Sequence, residues 1–557
     1  MMRFFQPIWL LPVALVLAGA LLASWFPPRS DDRIERLLSS RAAPFVVGLV
    51  SLLAYWWIQG SLNPVAVIHD EAAYLLQAQL FASGHWTAPS PPLPEFFEQF
   101  HVFVVPRLAP KYPPGQGLAL TPGVLLGAPG LMPLIFTGLT AGLFFALARR
   151  FTNGWVALLA WAIWLVAPAD IRFRGTYFSE TTTSFLWLAA WWALLAWRER
   201  RGRAWLVALA CAVAFGIITR PQTMLIFAIP VAGVVLYDVI RERRWAELTM
   251  AAAAGGCILA LLPIQNYEVF GDWRVSPMVQ YSETYFPFDV PGFGINMSPA
   301  KRELPPDMKQ FTEAFRPGHA DYTPARLPHA LYYRGLGLAF DTWGIARTLA
   351  GVAFGMIGLL VAPAPVLFAA LTSALLMIGY LVYYHSPIWT VYYLEIQPVL
   401  TLLTAMGIWQ LTRLVAWYGR PRMRERWRDI RAPAGIVAVF VLVAPLVVWN
   451  LRDGALHLRQ IREYHAYFRG LENRIPGPAI VFVRYQLHHT FNFSLITNPP
   501  SYDKAKVWLV YDRGADDARL LRLAPGRTPY LLDEATARIY PMTSAVAAAP
   551  APEPPRP

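Results

Sequence analysis

Long apolar runs, separated by short polar or basic stretches, recur along most of this chain of 557 residues. Many of the runs reach about 18 to 20 residues, the length that an α-helix needs to cross the hydrocarbon core of a bilayer. We therefore predict about 12 membrane-spanning helices. They are placed near residues 8–26, 43–60, 131–148, 154–169, 182–198, 204–220, 223–240, 247–264, 345–362, 365–384, 394–412 and 433–450.

The composition supports this pattern. Hydrophobic residues make up 56% of the chain and charged residues 15%, whereas a soluble protein carries about 25% charged residues. The net charge of +13 comes mostly from basic clusters between the apolar runs, where cytoplasmic loops carry them, so it does not indicate nucleic-acid binding. Cys211 and Cys257 both lie inside apolar runs and predict no disulfide framework. The chain is predicted to be an all-α polytopic membrane protein.

The basic loops also predict an orientation. If residues 8–26 form a retained helix rather than a cleaved signal peptide, the basic clusters all fall on one side, which is expected to be cytoplasmic. We favour the retained helix because the run is long and a basic loop follows it. The N-terminus then lies outside. The clusters lie at 29–41, 149–150, 198–203, 241–244 and 419–431.

The outer side then receives the loops 61–130 and 265–344 and the C-terminal region from 451 onwards. In that region a helix-like segment near 455–472 precedes three strand-like segments, which are bounded by Pro and Gly. We predict a transmembrane domain over 1–450, a small α/β extracytoplasmic domain over 451–542 and a disordered tail over 543–557. The strand-like segments are 479–485, 506–512 and 529–534.

The first outer loop begins with two adjacent carboxylates, Asp70 and Glu71, directly after an apolar run. A short helix is predicted to follow them and to lie in the membrane interface. The carboxylates could simply start that helix, with Asp70 as its cap and Glu71 favouring its positive end. However, ionisable groups at a membrane boundary usually mark a pathway or a reaction site.

The segments "HDEAAYLLQAQLFASG" (69–84), "KYPPGQG" (111–117), "TRPQ" (219–222) and "IPGPAIVFVRY" (475–485) resemble those of GT-C membrane glycosyltransferases. The resemblance is to glycosyltransferase family 39, with the protein O-mannosyltransferases and the lipid A aminoarabinose transferases. It differs from that pattern in one respect, since the acidic loop here follows the second apolar run and not the first. The resemblance implies inverting sugar transfer from a polyprenyl-phosphate donor, with Asp70 as the base and Glu71 as the adjacent acid that assists it.

A lipid phosphate that leaves in such a reaction gains charge, so outer-side cations are candidates to bind it. Each of them could equally snorkel or anchor a helix at the interface. The candidates are Lys111, Arg107, Arg172, Arg174 and Arg220. A further set could line the sugar or acceptor pocket. For the tyrosines of this set, the alternative is a place in an aromatic belt at the membrane interface. This set is His69, Tyr112, His385, Tyr392, Tyr393 and Glu395.

His69 beside the two carboxylates could in principle bind a divalent cation, Mg²⁺ or Mn²⁺. His85 and His101 are possible additional ligands, but no second clear ligand cluster accompanies them, so no metal is assigned. The chain also has no Gly-rich nucleotide-binding motif, which fits a lipid-linked donor better than a nucleotide sugar.

The expected partners are therefore a polyprenyl-phosphate-linked sugar, the lipid bilayer and an acceptor in the cell envelope. The acceptor could be a glycan, a lipid or a protein. The expected location is the cytoplasmic (inner) membrane of a bacterium. A transporter or flippase for lipid-linked or polyol substrates is the alternative, but it would place ionisable residues in mid-span, and these spans are nearly free of them. A non-catalytic scaffold that binds envelope glycans is the third possibility.

Overall fold

The computed structural model describes residues 32–418 and 431–542, apart from 201, 295, 297, 471–473, 488 and 491, and also describes residues 13, 14 and 18. The predicted first span 8–26, apart from those three residues, therefore lies outside the described residues, as do the basic loop 419–430 and the tail 543–557.

The described chain is mostly helical, as predicted. Its α-helices, numbered in chain order, are α1 Asp32–Leu38, α2 Ala43–Gln59, α3 His69–Ala82, α4 Pro114–Leu125, α5 Leu131–Phe151, α6 Gly154–Leu165, α7 Pro168–Phe173, α8 Ser179–Arg200, α9 Arg203–Ile217, α10 Pro221–Glu242, α11 Trp245–Leu259, α12 Leu261–Phe270, α13 Pro277–Tyr285, α14 Pro306–Ala320, α15 Leu327–Trp343, α16 Thr348–Leu360, α17 Ala364–Gly379, α18 Gln397–Tyr418, α19 Arg431–Arg469 and α20 Asp517–Leu523.

A helix lies at every predicted span from 43–60 onwards, because an apolar segment inside lipid must satisfy its own backbone hydrogen bonds. Among the described residues, five helical segments are long and apolar enough to cross a membrane, or six if the α15–α16 region, bent by 96°, counts as one span. Three shorter apolar helices, α2, α6 and α9, accompany them. The chain is thus a multi-pass membrane protein, while the number of about 12 spans stays a prediction.

Helix α19 runs across the predicted domain boundary at residue 450, and the division into domains stays a prediction. A span at 433–450 and a separate helix near 455–472 were expected, but one continuous helix of 39 residues runs through both. At 1.5 Å per residue it is about 58 Å long, more than the bilayer core requires. Its Arg459 and Arg462 donate to the carbonyls of Trp57 and Gln59, at 2.6 and 3.0 Å. These bonds satisfy acceptors that the end of α2 leaves open.

Two small β structures lie outside the helical part. The loop 61–130 contains the antiparallel pair β1 (Val102–Phe103) and β2 (Ala109–Pro110). The C-terminal region contains a sheet of order β4-β3-β5-β6, in which β3 is parallel to both β4 and β5, and β5 is antiparallel to β6. Strands occur at all three predicted positions, and β6 is an addition. Their bounds are β3 Ala479–Arg484, β4 Val507–Tyr511, β5 Thr528–Asp533 and β6 Arg538–Pro541.

The C-terminal sheet packs directly on the loop 61–130. Ile480 and Phe482 of β3 share one hydrophobic cluster with Leu76 and Leu80 of α3 and with Phe96 of the following loop. The opposite face of the sheet packs in a separate cluster against the end of α19 and the 493–496 segment. Successive strand residues point to opposite faces, so the continuous apolar run of β3 fills both clusters. The C-terminal region is therefore one of the supports of α3.

Candidate functional site

The first turn of helix α3 contains a carboxylate, that of Glu71, which turns inward. The residue before the helix, Ile68, has an extended backbone. Glu71 accepts hydrogen bonds from the backbone N–H groups of Val67 and Ile68 at 2.9 and 3.3 Å. Its other oxygen accepts from Tyr177 N at 3.1 Å. Glu71 is 2% exposed. This burial raises the pKa of the Glu71 carboxyl, while the positive charge of Arg462 acts to lower it. Glu71 thus fixes the start of the helix, as a capping-box acid does.

The neighbouring Asp70 points the other way, into a cluster of polar rings. Its Oδ1 accepts a hydrogen bond of 2.5 Å from the Tyr112 hydroxyl. Its Oδ2 lies 3.2 Å from His69 Nε2 and 3.8 Å from His101 Nε2. The Asp70 side chain keeps 29% of its surface exposed, while both imidazoles are almost fully buried. A held but reachable carboxylate of this kind can take a proton from a bound hydroxyl.

Burial lowers the pKa of both His69 and His101 from the ordinary value, which favours neutral imidazoles. Neutral imidazole and carboxylate are ligands that transition metals accept. One ligand atom from each of His69, Asp70 and His101 lies within 4.8 Å of the others. These are the described residues that could hold a divalent cation, although Lys111 brings positive charge close to both histidines.

The β1–β2 pair and two glutamines set the position of this cluster. Lys111, directly after β2, donates its backbone N–H to the carbonyl of His101, directly before β1, at 2.8 Å. The carbonyl of Tyr112 accepts from Gln77 of α3 and from Gln265 of α12, both at 2.8 Å. Three segments distant in sequence therefore fix one turn of backbone beside Asp70.

Lys111 is the cation that the structure brings to this cluster. Its ammonium lies 5.3 Å from the centre of the Tyr112 ring and 5.0 Å from that of Tyr281. The residue is 8% exposed, and within the described part of the chain its Nζ has no hydrogen-bond or ion-pair partner. Burial lowers the Lys111 pKa, while Asp289 and then Asp70 act to raise it. A buried ammonium without a direct partner is suited to binding an anion.

The structure also brings Arg220 close to this site, but a carboxylate already neutralises its charge. Its NH1 forms an ion pair with Glu180, and its Nε lies 3.7 Å from Glu395. The "YPPG" glycine permits this approach, because the N–H of Gly115 donates to Ile218 O at 2.8 Å and a Cβ there would lie 2.7 Å from the same oxygen. The start of α4 can therefore press against the end of α9, just before Arg220.

The remaining predicted cations have other surroundings. Arg174 is fully buried and forms an ion pair with Asp170. Arg172 forms an ion pair with Asp341 and is 42% exposed. Arg107 is exposed, in the β1–β2 connection. The guanidinium charges of Arg172 and Arg174 are thus taken up by carboxylates within the fold, which leaves Lys111 as the better-placed candidate of the set.

The predicted pocket residues near 385–395 form a second polar group. His385 Nε2 lies 2.8 Å from the Tyr393 hydroxyl, and burial lowers the His385 pKa to about 3. Glu395 is fully buried and accepts a bond of 2.5 Å from Thr183. The Tyr392 ring lies 5.6 Å from the Arg220 guanidinium and 4.7 Å from the His385 ring. Tyr392 thus links Arg220 with the 385–395 group.

Asp289 is a residue of this region that the sequence did not reveal. Its Oδ1 accepts a 2.8 Å hydrogen bond from Tyr383 and lies 3.6 Å from His319 Nε2. It is also the strongest electrostatic support of the Lys111 ammonium. In the sequence it stands before Pro291-Gly292 in a loop rich in aromatic residues, where an aspartate normally marks no more than a turn.

Residues 127–266 match the family model described as dolichyl-phosphate-mannose-protein mannosyltransferase. The solved structure of ArnT from Cupriavidus metallidurans in the apo state superposes with a TM-score of 0.51 at 12% identity, over 88% of this chain and 92% of that chain. No curated protein matches the chain in sequence. The fold is therefore similar to that of ArnT. The resemblance predicted from the sequence is confirmed in the fold and, at the level of the family model, over residues 127–266.

Two further solved structures are more distantly similar. ArnT from Cupriavidus metallidurans bound to undecaprenyl phosphate superposes with a TM-score of 0.48 at 12% identity, over 89% of this chain and 93% of that chain. The arabinofuranosyltransferase AftD from Mycobacteria superposes with a TM-score of 0.40 at 15% identity, over 89% of this chain and 36% of that chain.

Proposed function

We propose that this protein transfers a sugar from a polyprenyl-phosphate donor to an envelope acceptor on the extracytoplasmic face of the cytoplasmic membrane, with inversion, and that Asp70 is the general base. The observation that carries the proposal is the pairing of two complementary groups at one site. Asp70 is a reachable carboxylate, and Lys111 is a buried ammonium without a direct partner. The first can accept a proton and the second can bind a phosphate.

In the proposed reaction, the acceptor hydroxyl gives its proton to an Asp70 carboxylate oxygen, and the hydroxyl oxygen forms a bond with the anomeric carbon. The bond between that carbon and the lipid phosphate breaks, and the phosphate leaves with the electron pair. Attack from the side opposite to the phosphate inverts the anomeric centre. Tyr112 holds one Asp70 oxygen at 2.5 Å, so the base is oriented before substrate arrives.

The leaving phosphate gains negative charge, and the Lys111 ammonium is the group proposed to stabilise it. The Tyr112 and Tyr281 rings stabilise this ammonium by cation–π contacts but carry no net charge, so they leave it able to pair with a phosphate. The matched family model is described by a dolichyl-phosphate-mannose donor, which supports a lipid-phosphate donor for this chain as well. Arg220, paired with Glu180, is proposed to shape the pocket together with Tyr392.

Glu71 is assigned a positioning role. Its three hydrogen bonds come from the backbone N–H groups of Val67, Ile68 and Tyr177, and little of its carboxylate is exposed. Direct assistance to Asp70, as the resemblance implies, would need a carboxylate that faces the same space. The geometry favours the capping contribution, through which Glu71 sets the direction of Asp70.

The test is complementation of a deletion strain with Asp70→Asn, followed by sugar analysis of the lipid, polysaccharide and protein fractions. We expect the wild type to restore one sugar in one fraction. The variant should reduce transfer by about 10²- to 10⁴-fold, the usual contribution of a general base. Glu313→Gln, an exposed outer carboxylate, is the matched control and should behave as wild type. Full restoration of the sugar by Asp70→Asn would rule out the proposed base.

The same strains separate transfer from transport. In a strain without the transferase, the unreacted lipid-linked sugar should accumulate with its sugar exposed on the outer face. If the protein were a flippase, the sugar would accumulate on the cytoplasmic face instead. Periodate or lectin labelling of intact cells and of lysed cells measures this difference.

A further inference from the structure

A groove of about 380 Å³ lies between the outer end of helix α19 and the C-terminal sheet, and it has no part in the chemistry proposed above. Helix α19 contributes one wall, and the loop after β3 and the end of β5 contribute the other. Its volume falls within the range of small-molecule sites. The lining residues that matter here are Gln460, Tyr464, His465, Thr490, Phe493 and Glu534.

The aromatic part of this groove offers a flat apolar surface. Tyr464 is 53% exposed and stands 5.3 Å from Phe468 and 6.4 Å from Phe493, measured between ring centroids. Phe493 in turn packs against His465, 3.7 Å away. The Tyr464 ring is thus supported from behind while much of its surface stays open. Such a ring can cover the C–H face of a sugar, because it removes apolar surface from water without desolvating the sugar hydroxyls.

The polar part of the groove is fixed in advance. Glu534 is 6% exposed, and its two oxygens accept hydrogen bonds from His489 Nδ1 at 2.7 Å and from Gln486 N at 2.9 Å. These bonds orient the carboxylate while it still lines the groove, and each oxygen keeps a further lone pair. The Gln460 and Thr490 side chains are exposed and have no recorded hydrogen bond within the described residues. They can donate to or accept from ligand hydroxyls.

The charge in the groove selects the class of ligand. A buried carboxylate in the wall disfavours phosphate and carboxylate ligands by like-charge repulsion, and it favours groups that donate hydrogen bonds. A neutral saccharide presents several hydroxyl donors at its edge and C–H groups on its faces. Both features have counterparts in this groove, in Glu534 and Tyr464 respectively.

The groove is also joined to the candidate active site. Between its lining residues Thr490 and Phe493 lies Asn492, whose carbonyl accepts the backbone N–H of His69 at 3.2 Å and lies 3.2 Å from His69 Nδ1. His69 is the neighbour of Asp70. One short loop therefore forms part of the groove wall and also contacts the start of α3.

We propose that this groove binds a neutral sugar unit of the acceptor, and so makes a glycan, or a glycan carried by a lipid or protein, the acceptor class. The inference rests on the proposed transferase function for its role in the reaction. The binding itself does not depend on Asp70 chemistry. The groove would hold the acceptor by a unit other than the one whose hydroxyl reacts.

The test is saturation-transfer NMR of the full chain in lipid nanodiscs with three neutral probes, maltotriose, mannotriose and N,N′,N″-triacetylchitotriose. We expect saturation transfer to at least one probe. Tyr464→Ala and Glu534→Gln should each weaken its apparent affinity roughly tenfold. Tyr467→Ala, one turn away on α19 and outside the groove lining, is the control and should retain binding. The thermal unfolding of every variant is measured as well and must match that of the wild type.

Two results of the NMR experiment would overturn the inference. One is the absence of saturation transfer to all three probes, and the other is saturation transfer that is equally strong in wild type, Tyr464→Ala and Glu534→Gln. Asp70→Asn, measured in parallel, should bind the probe as wild type does. If Asp70→Asn keeps transfer activity in cells while the groove variants lose the probe, the proposed base fails and the saccharide site stands. If the reverse holds, the base stands and the saccharide site fails.

Discussion

Removal of the Lys111 ammonium gives a direct measure of phosphate binding. In Lys111→Met, the long apolar stem is kept and the charge is lost. The ammonium is buried and has no direct partner in the described structure, so no internal ion pair is broken by the change. A hydrogen bond that involves a charged group contributes about 1.5 to 3 kcal/mol. The affinity for a polyprenyl phosphate should therefore fall by about 10- to 150-fold.

The assay is calorimetric titration of the purified protein with farnesyl phosphate, with farnesol as the ligand that lacks the phosphate. Binding of farnesol should be equal in wild type and Lys111→Met. Lys111→Arg keeps a cation at the site and is the matched variant, although its planar fork need not fit a site shaped for an ammonium. Equal affinity of Lys111→Met and wild type for farnesyl phosphate would refute the assigned role.

The same assay has an expected pH dependence. Burial lowers the Lys111 pKa, and the amine binds phosphate only in its protonated form, below that pKa. Phosphate affinity should therefore decline as the pH rises through a value under the ordinary 10.5 of lysine. Asp289 is the largest influence that raises this pKa, so Asp289→Asn should shift the decline to lower pH. Lys111→Met should show no such decline, and a decline that persists in this variant would assign the titration to another group.

Three further predictions follow from the contacts of Asp70 and its neighbours. Glu71→Ala should lower the thermal unfolding temperature more than Glu71→Gln, because it leaves three backbone N–H groups without their acceptor; unchanged unfolding with lost turnover would instead indicate direct catalysis. Tyr112→Phe should lower kcat about tenfold with unchanged unfolding, since the Asp70 carboxylate loses its 2.5 Å donor, and an unchanged kcat would argue against orientation by Tyr112. Prolonged EDTA treatment should leave turnover intact, because Lys111 already supplies positive charge next to His69 and His101; a loss that Mn²⁺ restores would identify a metal site among these histidines and Asp70.

The local pattern of the chain determined its class and many of its elements. Apolar runs longer than a bilayer core is thick leave a helix as the low-energy backbone, so the helices appear where the pattern predicts them. The strands at 479–484, 507–511 and 528–533 follow from short apolar runs bounded by Pro and Gly. The helix at His69–Ala82 was predicted as well, with Asp70 and Glu71 at its start. All of these are properties of residues near one another in sequence.

The tertiary structure alone decided which charged groups are available. Adjacent residues Asp70 and Glu71 differ because one side of the helix start meets backbone N–H groups and the other meets the Tyr112 hydroxyl, 42 residues away. Arg220 and Lys111 were both predicted as phosphate-binding cations, yet Arg220 pairs with a carboxylate on another helix and Lys111 contacts tyrosine rings. Such pairings depend on how distant segments pack, and ion pairing in a buried site is decided by a few ångströms. Hydrophobic periodicity carries no information on that scale.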